Sequence, residues 1–194
     1  MSRQSQVRRS TTETRIELDL TLDGTGLYDI RTGVGFFDHM LSHIARHGGL
    51  DLRVQASGDL HVDEHHLVED TGLCLGRAIA EALGDKRGIE RFGTAFVSMD
   101  EALARTVIDL SGRSSHIFLV TFSRESINGF SLEMVREFFQ AVAGEGKMNL
   151  HVALLYGQNA HHQAEAIFKS FGRALREAVR LTGGSAIPST KGVL

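Results

Sequence analysis

The chain has 194 residues and a net charge of −3, with 42% hydrophobic and 23% charged residues. This is an ordinary globular composition that can bury a core, and its charge gives no reason to expect nucleic acid as a partner. The single cysteine, Cys74, excludes an internal disulfide, and its apolar surroundings indicate a buried side chain. No apolar run approaches the ~18 residues of a membrane span, and the polar N-terminus lacks the apolar segment of a secretory signal. We therefore expect a cytoplasmic protein without membrane contacts.

The first half of the chain predicts three strands and two helices, preceded by residues 1–10 as a flexible tail. Alternating apolar and polar residues predict a strand at 14–24, and the segment 26–33 follows as its hairpin partner. Apolar residues at helical spacing, ended by Gly-Gly, predict a helix at 34–49. A further strand and a long helix complete this half, at 50–59 and 65–85.

The second half repeats this order. Strands are predicted within 92–113, 114–123 and 147–157, and helices at 131–146 and 159–184. Both long helices open on the motif His-His-x-x-Glu, and its second copy is displaced by 96 residues (161 − 65). The motif residues are His65, His66 and Glu69, and His161, His162 and Glu165.

Self-similarity on this scale predicts duplication of one unit. We expect an α+β fold with pseudo-twofold symmetry, in which each unit has a sheet of about four strands covered by two helices. The stretch 84–93 is the expected linker. The predicted organisation is one compact domain with units at 11–88 and 89–184 and a substrate-binding C-terminal tail at 185–194.

The repeated motif predicts a metal site, because imidazole nitrogens and carboxylate oxygens together suit Mn, Fe, Co, Ni or Zn. Positions i and i+4 share a helix face, whereas the second histidine is rotated by roughly 100°, so each motif is better placed to serve two ions than one. The first helix of each unit offers a fourth ligand, since aligning LDLRV with MNLHV makes His39 correspond to Glu137. The predicted ligand sets are His39, His66, His161 and Glu165 for one ion, and His65, Glu69, Glu137 and His162 for the other.

A solvated helix face is the alternative interpretation of one such motif. The second copy favours metal, because solubility alone gives no reason to keep the same three side chains in two units that have otherwise diverged. Four protein ligands leave two positions of an octahedral ion open for substrate. Zinc storage without catalysis is a further alternative.

A phosphate site is predicted from basic and hydroxyl side chains. The candidates are Arg91 and Arg113 at strand edges, and Ser189, Thr190 and Lys191 in the C-terminal tail. A disordered tail and solvent-facing arginines are the alternatives. Lys169 lies one helical turn after Glu165, where it can reach a ligand held by the metal or form an ion pair with Glu165.

Four stretches closely resemble the imidazoleglycerol-phosphate dehydratase family: FFDHMLSHIARHGGLDL, DEHHLVEDTGLCLG, GQNAHHQAEAIFKSFGRALREA and PSTKGVL. The resemblance runs from Glu13 to the end of the chain. It implies a duplicated α+β fold like domain 2 of ribosomal protein S5, in the form that has the dehydratase activity alone. It also implies two Mn²⁺ ions per active site, active sites between subunits, and a homo-oligomer of 24 subunits built from trimers.

The resemblance also assigns residues. The implied metal ligands are His39, His65, His66, Glu69, His161, His162 and Glu165. Many family members have a histidine where this chain has Glu137, and a carboxylate remains an acceptable ligand for Mn²⁺. The implied contacts to a small phosphorylated imidazole substrate are Glu13, His39, His43, His47, Arg91, Arg113, Lys169, Ser189, Thr190 and Lys191.

The family reaction converts imidazoleglycerol phosphate to imidazole acetol phosphate and water, in histidine biosynthesis. We expect the substrate to be held as imidazolate between two metal ions and to lose its hydroxyl through a diazafulvene-like intermediate, after which a base removes a carbon-bound proton. Glu13 is the predicted base. His47 is a candidate acid, and its alternative role is to interact with the dipole of its helix.

Two other functional classes compete with this prediction. A dinuclear metallohydrolase of a phosphorylated substrate would use the same ligands to activate water. A metal-storage cage would need neither open coordination positions nor a basic pocket.

Overall fold

The computed structural model describes residues 3–192 and residue 194. These residues form two four-stranded sheets, a two-stranded ribbon and four helices. The strands are β1 (Gln4–Ser10), β2 (Thr14–Thr21), β3 (Tyr28–Arg31), β4 (Asp51–Gly58), β5 (Phe92–Met99), β6 (Ala102–Asp109), β7 (Ser115–Leu119), β8 (Ser126–Ile127), β9 (Phe130–Ser131) and β10 (Asn149–Tyr156). The helices are α1 (Gly35–Gly48), α2 (His65–Leu83), α3 (Met134–Gly146) and α4 (Ala160–Ala178).

The two sheets have the same topology, which confirms the predicted duplicated α+β fold. Their strand orders are β1-β2-β4-β3 and β5-β6-β10-β7. In each sheet the second strand is antiparallel to both neighbours, and the fourth strand in the order is parallel to the third. Within the described residues, no helix is both long and apolar enough to cross a membrane.

The N-terminal segment is a strand, so the predicted flexible tail at residues 1–10 is wrong for Gln4–Ser10. β1 pairs with β2 along its whole length, from Gln4 opposite Thr21 to Ser10 opposite Arg15. The inward-facing side chains of β1 are Ser5 and Val7, and both are buried. A strand with one apolar inward residue gives almost no alternation signal, and its backbone pairing makes it part of the first unit.

The predicted hairpin between β2 and the segment 26–33 is also wrong. β3 pairs in parallel with β4, and β4 itself occupies the place beside β2. The chain reaches this arrangement because α1 connects β3 to β4 as a crossover between parallel strands. The linker predicted at 84–93 is shorter than expected, since its last two residues begin β5.

The helices pack mainly across the two units. α2 packs closely against α3 and α1 against α4, while α2 and α4 each cover the sheet of their own unit. Glycines permit both contacts: a Cβ at Gly76 would lie 2.5 Å from the carbonyl oxygen of Val142, and a Cβ at Gly172 would lie 2.9 Å from that of Ile44. The two glycines occupy corresponding positions of the repeat, and so do Ile44 and Val142, so both helix pairs are built in the same way.

The core between the helices is aromatic. Phe138, Phe139, Phe168 and Phe171 are fully buried, and their neighbouring ring centroids are 4.9–5.6 Å apart. α4 is buried around most of its circumference, as expected for a helix with a sheet on one side and another helix on the other. This packing fixes the N-terminal turns of α4 beside α1, where the histidines of both helices meet.

Candidate active site

A cluster of three histidines and one carboxylate lies between α1 and α4. His39 and His43 are one turn apart on α1, and their Nε2 atoms are 3.3 Å from each other. Glu165 of α4 places Oε1 3.3 Å from His43 Nε2 and Oε2 3.6 Å from His39 Nε2. The Nε2 atom of His161 is 3.1 Å from the same Oε2. One ligand atom each from His39, His43 and Glu165 lies within 4.8 Å of the others, a spacing that can hold a metal ion.

The carboxylate at the centre of this cluster is buried and ionised. The side chain of Glu165 is 8% exposed, and the Nζ atom of Lys169 forms an ion pair with its Oε1. Burial raises the pKa of Glu165, but the hydrogen bond from Lys169 and the positive charge of Lys169 oppose it, and this pKa lies below its usual value. The cluster therefore keeps an anionic oxygen available to a cation.

Burial also keeps a neighbouring histidine neutral. It lowers the pKa of His43 to about 4, against the opposing effect of the Glu165 carboxylate. A neutral imidazole has a lone pair for a metal ion, so the donor set of this cluster fits a divalent transition ion. Burial, together with the charges of Lys169 and Arg173, lowers the pKa of His47 as well.

The start of α4 explains why its two histidines are ordered. Asn159 is the N-cap, and its side-chain oxygen accepts hydrogen bonds from the backbone N–H groups of His161 and His162. The ring of His161 then packs edge-on against Phe36 of α1, with centroids 5.4 Å apart.

The remaining predicted ligands do not join this cluster within one chain. His65 and Glu69 face each other on α2, with His65 Nε2 3.9 Å from Glu69 Oε2. Glu137 is half-buried on α3 and forms no ion pair among the described residues. His66 and His162 instead contact carboxylates outside the repeated motif, so the exchange of these two histidines between the sites is not seen in the single chain.

Those carboxylates bind the Nδ1 atoms of the two histidines. His66 Nδ1 is 3.1 Å from Asp59 Oδ2, and His162 Nδ1 is 2.7 Å from Glu101 Oε2. Each hydrogen bond raises the pKa of its histidine above the usual value. Two backbone N–H groups at the start of α4 and the His162 ring together lower the pKa of Glu101 to about 2.

The predicted base lies beside the first of these pairs. Glu13 directly precedes β2, and its Oε2 atom is 3.9 Å from His66 Nδ1. Its side chain is 51% exposed. Its carboxylate accepts no hydrogen bond from the described residues.

The phosphate candidates gather at the opposite end of the second sheet. Arg91 forms an ion pair with Asp109 and donates a hydrogen bond of 2.8 Å to the carbonyl oxygen of Pro188. Ser189 begins a turn there, in which its hydroxyl accepts from the backbone of Lys191. Arg113 follows the end of β6, where the backbone of Leu194 crosses Gly112. Arg91, Arg113 and the tail residues 189–191 thus belong to one region.

This region is far from the histidine cluster of the same chain. Lys169 lies beside the sulfur atom of Met99, the last residue of β5. Arg91 directly precedes the first residue of that strand. Eight residues of extended chain separate the two by about 26 Å at 3.3 Å per residue. Lys169 therefore belongs with the histidines and not with the other phosphate candidates.

Comparisons with known proteins identify the family. A family model described as imidazoleglycerol-phosphate dehydratase matches residues 32–175. The chain belongs to the imidazoleglycerol-phosphate dehydratase family. The imidazoleglycerol-phosphate dehydratase of Hydrogenovibrio crunogenus is 55% identical over 194 residues, which cover 99% of this chain and 100% of that relative. That of Paracoccus denitrificans is 54% identical over 196 residues, with the same shares covered.

Solved structures of imidazoleglycerol-phosphate dehydratases have the same fold. The enzyme from Staphylococcus aureus matches with a TM-score of 0.83 and 39% identity, covering 92% of this chain and 99% of that chain. The enzyme from Pyrococcus furiosus in complex with (S)-C348 matches with a TM-score of 0.85 and 37% identity, covering 97% and 100%.

Membership in the imidazoleglycerol-phosphate dehydratase family decides among the three functional classes. The chain is a hydro-lyase that removes water from imidazoleglycerol phosphate in histidine biosynthesis. A metallohydrolase and a metal-storage cage are therefore excluded as its primary function.

Sequence reasoning missed three residues of this dehydratase. Asp59 and Glu101 hold the Nδ1 atoms of His66 and His162, and Asp109 holds Arg91. None of the three lies on the same helix as its partner. The strand register that brings Glu101 near His162 would have been needed to find that pair.

Proposed function

We propose that this dehydratase uses two divalent metal ions per active site, with Mn²⁺ as the expected metal, at sites shared between chains. The observation that carries the proposal is the compact donor cluster of His39, His43, His161 and Glu165. The distance of about 26 Å along β5 from this cluster to the phosphate candidates supports the sharing of sites.

The proposed ligands come from both units. One ion would be held by His39, His161 and Glu165, with His66 of another chain, and His43 is placed to bind this ion or the substrate. The other ion would be held by His65, Glu69 and Glu137, with His162 of another chain. When bound, the metal withdraws electron density from the substrate imidazole and favours its deprotonated form.

Side chains of the protein would transfer the protons. The hydroxyl leaves the carbon attached to the ring, through a diazafulvene-like form of the substrate. Glu13 takes the proton from the next carbon, and the resulting enol becomes the ketone. The exposed carboxylate of Glu13 suits this role. The lowered pKa of His47 favours its neutral form, which makes it a weak candidate for the acid that protonates the leaving hydroxyl.

The phosphate would be held by Arg91, Arg113, Ser189 and Lys191 of a neighbouring chain. Arg91 is fixed from two sides by Asp109 and the carbonyl of Pro188, so its guanidinium is oriented before substrate arrives. Such fixed contacts to the unreactive end of a substrate position the reacting carbons. Lys169 would contact the substrate from the metal side.

The surface of the second sheet supports a homo-oligomer. On its outer face Phe96 and Leu119 are 57% and 65% exposed, and they lie at the two ends of one row across the four strands, with Arg105 and Ala153 between them. Val107 and Ile117 lie in the next row of this face. Large exposed apolar side chains gathered on one sheet face, with an arginine among them, are typical of a protein interface. We propose that this face is covered in an assembly of 24 subunits built from trimers.

Metal removal tests the cofactor. Chelation followed by desalting should abolish formation of the enolisable ketone, and Mn²⁺ should restore it without release of inorganic phosphate. Metal analysis of the same samples should give two ions per chain before treatment. Full dehydratase activity in metal-free protein would contradict the proposal.

Subunit mixing tests the shared site. His39→Ala and Lys191→Ala should each be inactive alone, because one lacks a metal ligand and the other a phosphate contact. When the two variants are co-expressed, some sites take their metal ligands from a Lys191→Ala chain, which has an intact His39, and their tail from a His39→Ala chain, which has an intact Lys191. These sites should be active. Co-expressed assemblies that contain both variants and stay inactive would contradict a site formed between chains.

A further inference from the structure

His66 and His162 occupy corresponding positions of the two units, but different carboxylates hold them. Asp59 contacts His66 Nδ1 through both oxygens, at 3.1 and 3.2 Å. Glu101 contacts His162 Nδ1 at 2.7 Å. Asp59 follows β4, whereas Glu101 precedes β6, so the two carboxylates are not equivalent in the repeat.

The strand register identifies the true counterpart of Glu101. Val54 of β4 corresponds to Val152 of β10, and their partners are Leu18 and Thr106. β2 and β6 are therefore displaced by 88 residues (106 − 18). The same displacement relates Thr14 to Ala102, the first residues of the two strands, and Glu13 to Glu101, the residues before them.

The register also identifies the counterpart of Asp59. A β-bulge between Leu154 and Tyr156 shifts the end of β10 by one residue. Gly58 thereby corresponds to Gly157, and a Cβ at each would meet the matching neighbour, Thr14 in one unit and Ala102 in the other. The residues that follow, Asp59 and Gln158, are then counterparts.

The second unit has Gln158 where the first has Asp59, and this difference changes the role of the glutamate that precedes the neighbouring strand, which is Glu13 in the first unit and Glu101 in the second. Gln158 has no charge, and its backbone N–H donates to Glu101 Oε1 at 3.0 Å. The N–H of Asn159 donates to the same oxygen at 2.7 Å, which fixes the carboxylate against His162. In the first unit the N–H of Asp59 donates instead to the backbone oxygen of Glu13, and the Glu13 carboxylate is left 3.9 Å from His66.

We propose that Asp59 and Glu101 are positioning residues that present Nε2 of His66 and His162 to metal, and that Asp59 has taken this task over from Glu13. A carboxylate on Nδ1 fixes the tautomer and the orientation of a ligating histidine. Because Asp59 fills that position, Glu13 is free to act on substrate, whereas its counterpart Glu101 is committed to structure. The inference rests on the proposed metal-dependent function.

Mn²⁺ titration of metal-free protein tests this division of roles, with free Mn²⁺ measured by electron paramagnetic resonance. Asp59→Asn and Glu101→Gln should each weaken one of the two ion sites by about 10- to 100-fold, the usual effect of losing a residue behind a ligand. Glu13→Gln should bind both ions as the wild type does and lose turnover. Glu145→Gln, an exposed change on α3, is the control for the loss of one carboxylate.

Three outcomes separate the possibilities. Wild-type affinity in both Asp59→Asn and Glu101→Gln would overturn the inference, and so would an equal loss of affinity in Glu13→Gln. A wild-type chain that binds no metal would instead overturn the proposed function. The amide of Glu101→Gln can still accept the two backbone hydrogen bonds, and if this variant fails to assemble, the comparison of Asp59→Asn with Glu13→Gln decides alone.

Discussion

Each histidine of the site is defined by what its ring nitrogens contact. His39, His43 and His161 direct Nε2 to one buried carboxylate, whereas His66 and His162 have Nδ1 held by carboxylates. The Nε2 atom of His162 also lies 3.7 Å from Oδ2 of the exposed Asp100. A histidine held in one tautomer binds metal more tightly than one that rotates freely, because less freedom is lost on binding.

The central carboxylate is the residue whose loss should cost most. Glu165→Gln removes the anionic oxygen shared by His39 and His161 and leaves Lys169 without its ion pair. We expect bound metal to fall to about half and turnover to fall by more than the roughly 100-fold typical of residues behind a ligand. Metal analysis and the dehydratase assay measure the two effects. Two ions retained per chain would show that Glu165 is not a ligand.

A histidine outside the site should make the fold sensitive to acid. The Nε2 atom of His116 is buried without a hydrogen-bond partner among the described residues. Burial lowers its pKa to about 4, helped by the charges of Arg136 and His151. The fold therefore favours neutral His116, and the unfolded chain takes up its proton first, near pH 6.5. Stability should be lost as the pH falls from about 6.5 to about 4.

The variant His116→Leu should remove this acid sensitivity. Urea unfolding at pH 7 and at pH 4.5 gives the free energy of unfolding that each protein loses on acidification. This loss should be about 1 to 3 kcal/mol smaller in the variant than in the wild type. An equal difference in the two proteins would assign the acid sensitivity to other groups.

The residue pattern alone identified the histidines and glutamates of the candidate site, but not the carboxylates beside them. His65, His66 and Glu69 and their repeats stand at helical spacing, so one motif was enough to find them. Asp59 and Glu101 precede their histidines by 7 and 61 residues. Glu101 and His162, which are 61 residues apart in the chain, are brought together by strand pairing, and composition and periodicity do not predict this pairing.

At the scale of elements, the repeat was readable wherever periodicity was strong. The four helices and the strands β2, β4, β6 and β10 were predicted from apolar spacing. β1 was missed because its inward positions carry little apolar signal. The pairing of β3 was wrong because sequence neighbours were taken as sheet neighbours, although a crossover helix separates them.

The helix contacts should not tolerate a methyl group. A Cβ in Gly172→Ala would lie 2.9 Å from the carbonyl oxygen of Ile44 and 3.0 Å from the backbone nitrogen of Gly48. We expect this variant to lose about 1 to 3 kcal/mol of unfolding free energy, because backbone atoms cannot move aside as a side chain can. Urea unfolding measures the loss.

The glycine Gly144 on α3 provides the matched control. No heavy atom lies within 4 Å of a Cβ built there. Gly144→Ala should therefore stabilise its helix by up to about 1 kcal/mol. Equal changes of the unfolding free energy in Gly172→Ala and Gly144→Ala would mean that the close packing of α1 and α4 is not the cause of the loss in Gly172→Ala.

At the scale of the whole molecule, the two sheets differ in their outer faces. The first sheet carries Arg15, Glu17 and Arg53 on its outer face, whereas the second carries Phe96 and Leu119 with a single arginine, Arg105, in the row between them. Topology is duplicated, but surface chemistry is not. The apolar sheet is the one expected to be covered by other copies.

A charge on that apolar face should prevent assembly. Phe96→Glu places a carboxylate opposite Arg105 in the row that ends at Leu119, and the desolvation of this carboxylate would oppose association. Light scattering after size exclusion should show smaller particles and reduced activity. Ser57→Glu makes a similar change on the outer face of the first sheet and should leave the mass unaltered. Wild-type mass in Phe96→Glu would place the interface elsewhere.

The cross-packing of α1 with α4 and of α2 with α3 has a consequence for the origin of the chain. A single unit expressed alone would expose the glycine-lined faces of both its helices, since each is covered by the other unit. A half-length ancestor could bury those faces only against an identical copy. The pseudo-twofold is then the remnant of a true twofold axis in an ancestral homodimer. Duplication and fusion of its gene would then allow corresponding positions, such as Glu13 and Glu101, to diverge.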